Sequence, residues 1–195
     1  MKVWPVPNSY KKSLPEEGEP GSFWEDRGDR YHCGIDILAP EGSEVLAMEG
    51  GYVIDKGLFT SPDMNSYLLT TYYVIIKIDN KIMVKYGELG EVYVSTGDYV
   101  DAGQVIGTVG KALNPEKVSY QDPYYLQELA NKGHVSMLHL ELYRAPVTIV
   151  QPYSVGNFLG DRRPESLIDP TLYLNGLARK LKKQEEQQLQ NLNSI

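Results

Sequence analysis

Cysteine is almost missing: Cys33 stands alone among 195 residues. A single thiol cannot close an internal disulfide, so the chain bears no mark of an oxidising compartment and must rely on its core. A chain of this length can bury such a core without covalent staples. Basic charge is also short, with 19 Lys and Arg against 26 Asp and Glu and a net charge of −7. That balance argues against nucleic acid or an anionic membrane as partner. No run approaches the roughly 20 apolar residues of a membrane span. The opening Met-Lys-Val-Trp-Pro-Val-Pro lacks the apolar stretch of a secretory signal. The expectation for the sequence as given is production without Sec-type export, hence a cytoplasmic setting unless trimming or another route intervenes. Histidine is scarce, with three in all: His32, His134 and His139.

What is present reads as β structure. Fifteen tyrosines against three phenylalanines suit half-exposed sheet faces. Residues 1–28, rich in Pro, Gly and acid, read as an extended lead-in. Short β-rich runs follow. Residues 45–47 and 52–55 flank a Gly-Gly turn, and 72–78 and 82–86 flank Asp79-Asn80-Lys81, a hairpin signal. Glycines at 97, 103, 107 and 110 punctuate very short strands, the rhythm of a tightly turning antiparallel sheet. Residues 111–135 interrupt this pattern as an insertion. Within it Asp122-Pro123 precedes a short helix over 124–131, with Asp122 as N-cap and Pro123 at the first position. Residues 136–143 return to strand. There Leu138, Leu140 and Leu142 alternate with Met137, His139 and Glu141, so the leucines face the core and His139 and Glu141 share the other face. Residues 176–195 form a polar, helix-prone tail with a sparse leucine stripe, either a terminal helix or a docking helix for a protein partner. The core domain then spans 29–175, and the fold class is mainly β.

Two stretches carry chemistry: Arg-Tyr-His-Cys-Gly-Ile-Asp at 30–36 and Ser-Met-Leu-His-Leu-Glu at 136–141. His32 and Asp36 lie four apart, an even spacing that returns both side chains to one face of an extended chain, and Gly34 lets the backbone turn between them. With His139 they make two imidazoles and one carboxylate. That set suits a catalytic zinc site, which keeps a fourth position open. Cys33 alternates away from this face as a packing thiol. Each motif alone is weak, since a structural histidine satisfied by a carboxylate looks the same.

The motifs occur in a longer ordered pattern. Tyr-His-Cys-Gly-Ile-Asp-Ile-Leu-Ala-Pro-Glu-Gly-Ser-Glu-Val-Leu-Ala is followed by Gly-Tyr-Val-Ile, then Tyr-Gly-Glu-Leu at 86–89. Val-x-x-Gly-Asp-x-Val-x-x-Gly-Gln-x-Ile-Gly follows at 94–107, Met-Leu-His-Leu-Glu at 137–141 and Asp-Pro-Thr-Leu-Tyr-Leu at 169–174. This order resembles the lysostaphin-type zinc endopeptidases, the LytM-domain proteins of peptidase family twenty-three. The resemblance covers roughly 28–174 and is interrupted at 58–71 and 111–135. It implies a compact antiparallel β domain of barrel-sandwich type. It also implies zinc held by His32, Asp36 and His139, and hydrolysis of peptide bonds in peptidoglycan cross-links or stem peptides.

The sequence departs from the family at two catalytic helpers. Glu88 stands where the family has the histidine of Tyr-x-His-Leu, and Met137 replaces the first histidine of His-x-His. A thioether is no acid or base, but a carboxylate in reach of a metal-bound water is a competent general base. Glu88 is therefore the candidate catalytic residue. Tyr86, Met137, His134 and Glu141 are candidate site-lining residues, Glu141 as a group that orients a ligand. The alternative is a catalytically weak module of the same family that binds peptidoglycan or regulates a partner protein.

Overall fold

A computed structural model describes residues 2–177. The predicted helix at 176–195 therefore lies almost wholly outside the described residues. Among the described residues, twelve strands form two sheets: β1 (Tyr31–His32), β2 (Ile35–Leu38), β3 (Glu44–Leu46), β4 (Gly51–Thr60), β5 (Thr71–Lys77), β6 (Ile82–Val92), β7 (Tyr99–Val100), β8 (Val105–Lys111), β9 (Ser136–Arg144), β10 (Tyr153–Ser154), β11 (Asn157–Phe158) and β12 (Leu167–Ile168). The larger sheet runs β12-β9-β8-β6-β5-β4-β7, with β2 added on β9 and β3 on β8; the smaller runs β1-β11-β10. Every pairing is antiparallel. The mainly β class expected from the sequence is what the chain adopts. β3 and β4 do not pair across the Gly-Gly turn. β3 instead joins β8, and β4 joins β5 and β7.

Hairpin β5–β6 is the longest local unit. Its turn is held by Asp79, whose Oδ1 accepts from the amides of Lys81 and Ile82 at 2.6 and 2.7 Å. An Asx side chain here mimics a turn carbonyl, which is why that tripeptide reads as a turn. β6 then changes partner along its length. Residues 82–87 pair with β9, whereas Leu89 and Val92 pair with β8. The sheet curls at this change, and the candidate site lies there.

β9 is buried along nearly its whole length because it is covered on both faces. Leu138, Leu140 and Leu142 point into the main core with Ile35, Val84, Tyr86 and Leu89. The alternation expected for this strand holds, but its second face is covered too. The lead-in segment packs rather than trails: Trp4, Val6 and Phe23 are buried in the same core. Its backbone bonds to the sheet, with the Asp36 amide donating to the Gly21 carbonyl at 2.8 Å.

A second, smaller apolar cluster joins the two stretches that interrupt the family pattern. Ala112, Leu113 and Leu126 are buried there against Tyr67, Leu68, Tyr125 and Leu129. The amide of Leu69 donates to Ala112 and that of Asn114 to Tyr67, both at 2.9 Å. Helix α1 (Tyr124–Asn131) sits on this cluster. Its position matches the sequence expectation, but its cap does not. Pro123 is the N-cap residue and no side chain caps the helix; Asp122 instead closes the preceding turn, accepting from the Ser119 amide at 2.7 Å. Residues 170–177 are helical as well, and Asp169 caps them through a 2.8 Å bond from the Thr171 amide. No helix among the described residues is long and apolar enough to cross a membrane.

Candidate metal centre

β1, β2 and β9 bring His32, Asp36 and His139 together. Asp36 and His139 are direct cross-strand partners. Gly34 makes the approach possible, because a Cβ there would lie 2.3 Å from the Leu140 carbonyl oxygen. Gly156, in the turn before β11, is left-handed, and a Cβ on it would meet His139 Nε2 at 2.8 Å. Only glycine fits both demands.

The three facing atoms form a tight triangle. His32 Nε2 lies 3.0 Å from His139 Nδ1 and 3.3 Å from Asp36 Oδ1, and His139 Nδ1 lies 2.9 Å from Asp36 Oδ1. Each imidazole is oriented by its outer nitrogen. His32 Nδ1 donates to the Ser22 carbonyl at 2.8 Å, and His139 Nε2 donates to Glu141 at 2.9 Å. The inner nitrogens therefore present lone pairs to each other and to a carboxylate oxygen. Three acceptors at such distances need a cation among them, and these side chains could hold a metal ion. Tetrahedral bonds of about 2.0–2.2 Å place ligand atoms roughly 3.3–3.6 Å apart, close to the longest edge seen here.

Without metal, a proton serves as that cation. Burial opposes charge on His139, but hydrogen bonds to Asp36 and Glu141 outweigh it and raise the imidazole to about 9. Burial likewise opposes charge on Asp36, yet the two imidazoles hold it well below the usual carboxylate range. Burial and the nearby Arg27 keep His32 below its ordinary value.

Glu141 is no surface acid. It is fully buried behind His139 and accepts from Tyr153 at 2.6 Å and from Tyr143. Lys85, itself buried, stands 3.6 Å away and bonds the Tyr153 hydroxyl at 2.7 Å. Burial opposes the charge on Glu141, but Lys85 and His139 hold it at about 2. A fixed carboxylate on the outer nitrogen sets a ligand's tautomer and raises its basicity.

Glu88 reaches the site through a distortion. Tyr72 pairs with Leu89 and Val74 with Tyr86, so Gly87 and Glu88 together oppose Tyr73, a β-bulge. Glu88 is left-handed, with φ 58°. Regular alternation would put Gly87 on the site face beside His139 and send Glu88 into the core. The bulge turns Glu88 back, and it lines the same cavity as His32, Asp36 and His139. Burial raises its carboxyl to about 7, an effect softened by His139 and Thr71. Thr71 Oγ1 lies 3.0 Å from Glu88 Oε2 and 2.5 Å from Thr60 Oγ1, which reaches the Leu69 carbonyl at 2.6 Å.

Met137 also lines the cavity. Tyr86 does not: it is wholly buried, and its hydroxyl accepts from the Met48 amide at 2.9 Å on the core side. His134 does not either. It is exposed and lines a neighbouring cleft of about 530 Å³, formed with residues between 10 and 21 and sharing Asp36, Leu129 and Met137 with the metal cavity. Its odd spacing from His139, together with a turn at Gly133, carries it away. Arg27 is a site residue that the motifs give no hint of. Its Nη2 lies 3.4 Å from Asp36 Oδ2 and 3.0 Å from Glu25, its Nη1 donates to Asn157 at 3.0 Å, and it packs on the Tyr125 ring at 4.5 Å. Arginine outside any motif leaves no signal in one sequence.

Strand-borne ligands of a two-histidine, one-aspartate set, within a curled antiparallel sheet, define a metallopeptidase-like β fold. The model of Peptidase family M23 matches residues 30–145. The chain belongs to that family. A curated relative, the peptidoglycan DD-endopeptidase ShyC of Vibrio cholerae, is 35% identical over 81 residues. That match covers 42% of this chain and 17% of the relative. Among solved structures, lysostaphin from Staphylococcus simulans matches with a TM-score of 0.51 at 16% identity, over 89% of this chain and 56% of that one. The catalytic domain of the same peptidase matches with a TM-score of 0.45 at 18% identity, over 90% and 92%. At such identities the structural likeness concerns the fold.

Proposed function

We propose that this chain is a zinc metallopeptidase that hydrolyses peptide bonds in peptidoglycan cross-links or stem peptides. The observation that carries this reading is the convergence of three acceptor atoms at 2.9–3.3 Å, with a second carboxyl, Glu88, on the same cavity wall. His32, Asp36 and His139 would hold the ion, and a bound zinc would supply Lewis acidity and a water of lowered pKa. Glu88 is the general base. Its carboxylate could take a proton from the attacking water and return it to the leaving amine. Arg27 holds Asp36 in place from the outer side, as Glu141 does His139. The activity of the Vibrio cholerae relative, a peptidoglycan DD-endopeptidase, supports the substrate class.

The test is zinc content and turnover on the same protein. The purified chain should retain about one zinc per molecule, and His32→Ala or His139→Ala should lose it. Glu88→Gln should keep zinc while cleavage of purified peptidoglycan falls by about 10²–10⁴. Unchanged cleavage by Glu88→Gln would remove Glu88 as base. A zinc-loaded parent that binds peptidoglycan without cutting it would favour the binding-module reading, to which the buried thioether of Met137 at a helper position also points.

A further inference from the structure

The wall of the metal cavity away from the β-sheet carries two guanidiniums and two phenols, of which the proposed hydrolysis uses only Arg27, to hold Asp36. Arg27, Arg30, Tyr67 and Tyr125 all line the cavity together with His32, Asp36 and His139. They come from three places. Arg27 and Arg30 precede β1, Tyr67 lies in the loop between β4 and β5, and Tyr125 lies on α1. The small apolar cluster fixes both tyrosines.

The donors are only partly used. Asp29 takes the Nε proton and one Nη2 proton of Arg30, both at 2.7 Å. Among the described residues, Arg30 Nη1 has no acceptor. Arg27 spends its Nε and Nη2 protons on Glu25 and Asp36 and one Nη1 proton on Asn157, which leaves one Nη1 proton. Arg27 stacks on Tyr125, so one aromatic plane steadies a guanidinium on this wall. The open Nη1/Nη2 fork of Arg30, with the one spare Nη1 proton of Arg27 beside it, matches the two oxygens of a carboxylate. The local acids, Glu25, Asp29 and Asp36, are already engaged by these arginines and by the histidines. A divalent ion among the ligands would tip the balance positive.

We propose that Arg30, with Arg27, Tyr67 and Tyr125, forms a carboxylate-binding subsite beside the metal centre, which selects peptides bearing a free carboxylate near the bond to be cut. The inference rests on the peptidase reading for its substrate, but its test does not need turnover. The cavity holds only about 160 Å³, below the roughly 300 Å³ at which ligand pockets begin, so a group anchored here sits close to the metal ligands. Two sources could supply the carboxylate: a chain terminus or an acidic side chain.

Calorimetry on zinc-loaded Glu88→Gln protein separates them. Acetyl-Lys-D-Ala-D-Ala and its C-terminal amide probe the terminus. An internal glutamate peptide amide and its glutamine counterpart probe the side chain. In one pair the acid should bind about tenfold more tightly than its neutral partner, the scale of a charge-assisted hydrogen-bonded contact. Arg30→Gln should close that gap while zinc content and neutral-peptide affinity stay constant, and Arg30→Lys should restore only part of it. A gap that survives Arg30→Gln overturns the subsite, as does no gap in either pair or no binding of either acid. If the parent cleaves no peptide yet the gap exists and closes in Arg30→Gln, the hydrolytic reading fails and the subsite stands.

Discussion

The floor and the roof of the metal cavity are built differently. The floor is the curled sheet, where His139, Asp36 and Glu88 sit on strands backed by the main core and each outer polar atom has a fixed partner. The roof is α1 with the loops at 61–69 and 112–123, held on a cluster of three buried apolar residues among those described. A floor of this kind holds ligand atoms within tenths of an ångström. A roof of this kind can change sequence and shape without disturbing them. On the proposed reading, chemistry would belong to the sheet and selection among substrates to the insertions.

Four experiments would break or sharpen that contrast. The largest effect should come from the floor: Leu138→Ala should lower global stability by about 2–5 kcal/mol in urea denaturation, the range for large-to-small changes in a close-packed core. A cost under ~1 kcal/mol would mean the sheet is not the stabilising unit.

The second is the pH dependence of metal-free stability. His139 is raised from 6.5 to about 9, so its contribution is complete below 6.5 and is lost as pH rises through about 9. Glu88 is raised from 4.5 to about 7, so the folded state binds its proton more tightly and stability declines as pH climbs from 4.5 to 7. Each full shift corresponds to about 3 kcal/mol. Glu88→Gln should flatten the lower window, and saturating zinc should flatten the upper one because it replaces the proton on His139. Thermal melts from pH 4.5 to 9.5, with and without zinc, read both; a curve unchanged by zinc would count against His139 as a ligand.

The third effect is smaller and lies one layer behind the ligands. Glu141→Gln should weaken zinc by about 10–100-fold in a competition titration, with the fold intact. The smallest belongs to the roof. Leu126→Ala should leave the global denaturation midpoint nearly in place and instead speed amide exchange across 112–135. A shift as large as that of Leu138→Ala would show that roof and floor unfold as one unit.

Much of this was legible in the chain. The alternation of 136–143, the Asp79 turn and the Gly34 approach each rest on local chemistry, and local chemistry is written in neighbouring residues. Glu88 was legible as a candidate, but not its route to the site. Two-residue alternation puts Tyr86 and Glu88 on one face, yet the bulge at 87–88 separates them, sending Tyr86 to Met48 in the core and Glu88 to His139. A left-handed glutamate carries no sequence mark. The placement of His134 in the neighbouring cleft was not legible either, because its direction depends on the turn that leaves α1.

The sequence by itself determined the three candidate ligand residues, their order and the family, because those depend on residue types at fixed short spacings. Only the tertiary structure decided that Glu88 faces the ligands, that Glu141 is buried behind His139, and that two arginines and two tyrosines close the cavity from above. These are contacts between segments far apart in the chain. Packing of the whole sheet and its insertions sets them, and no local pattern encodes them.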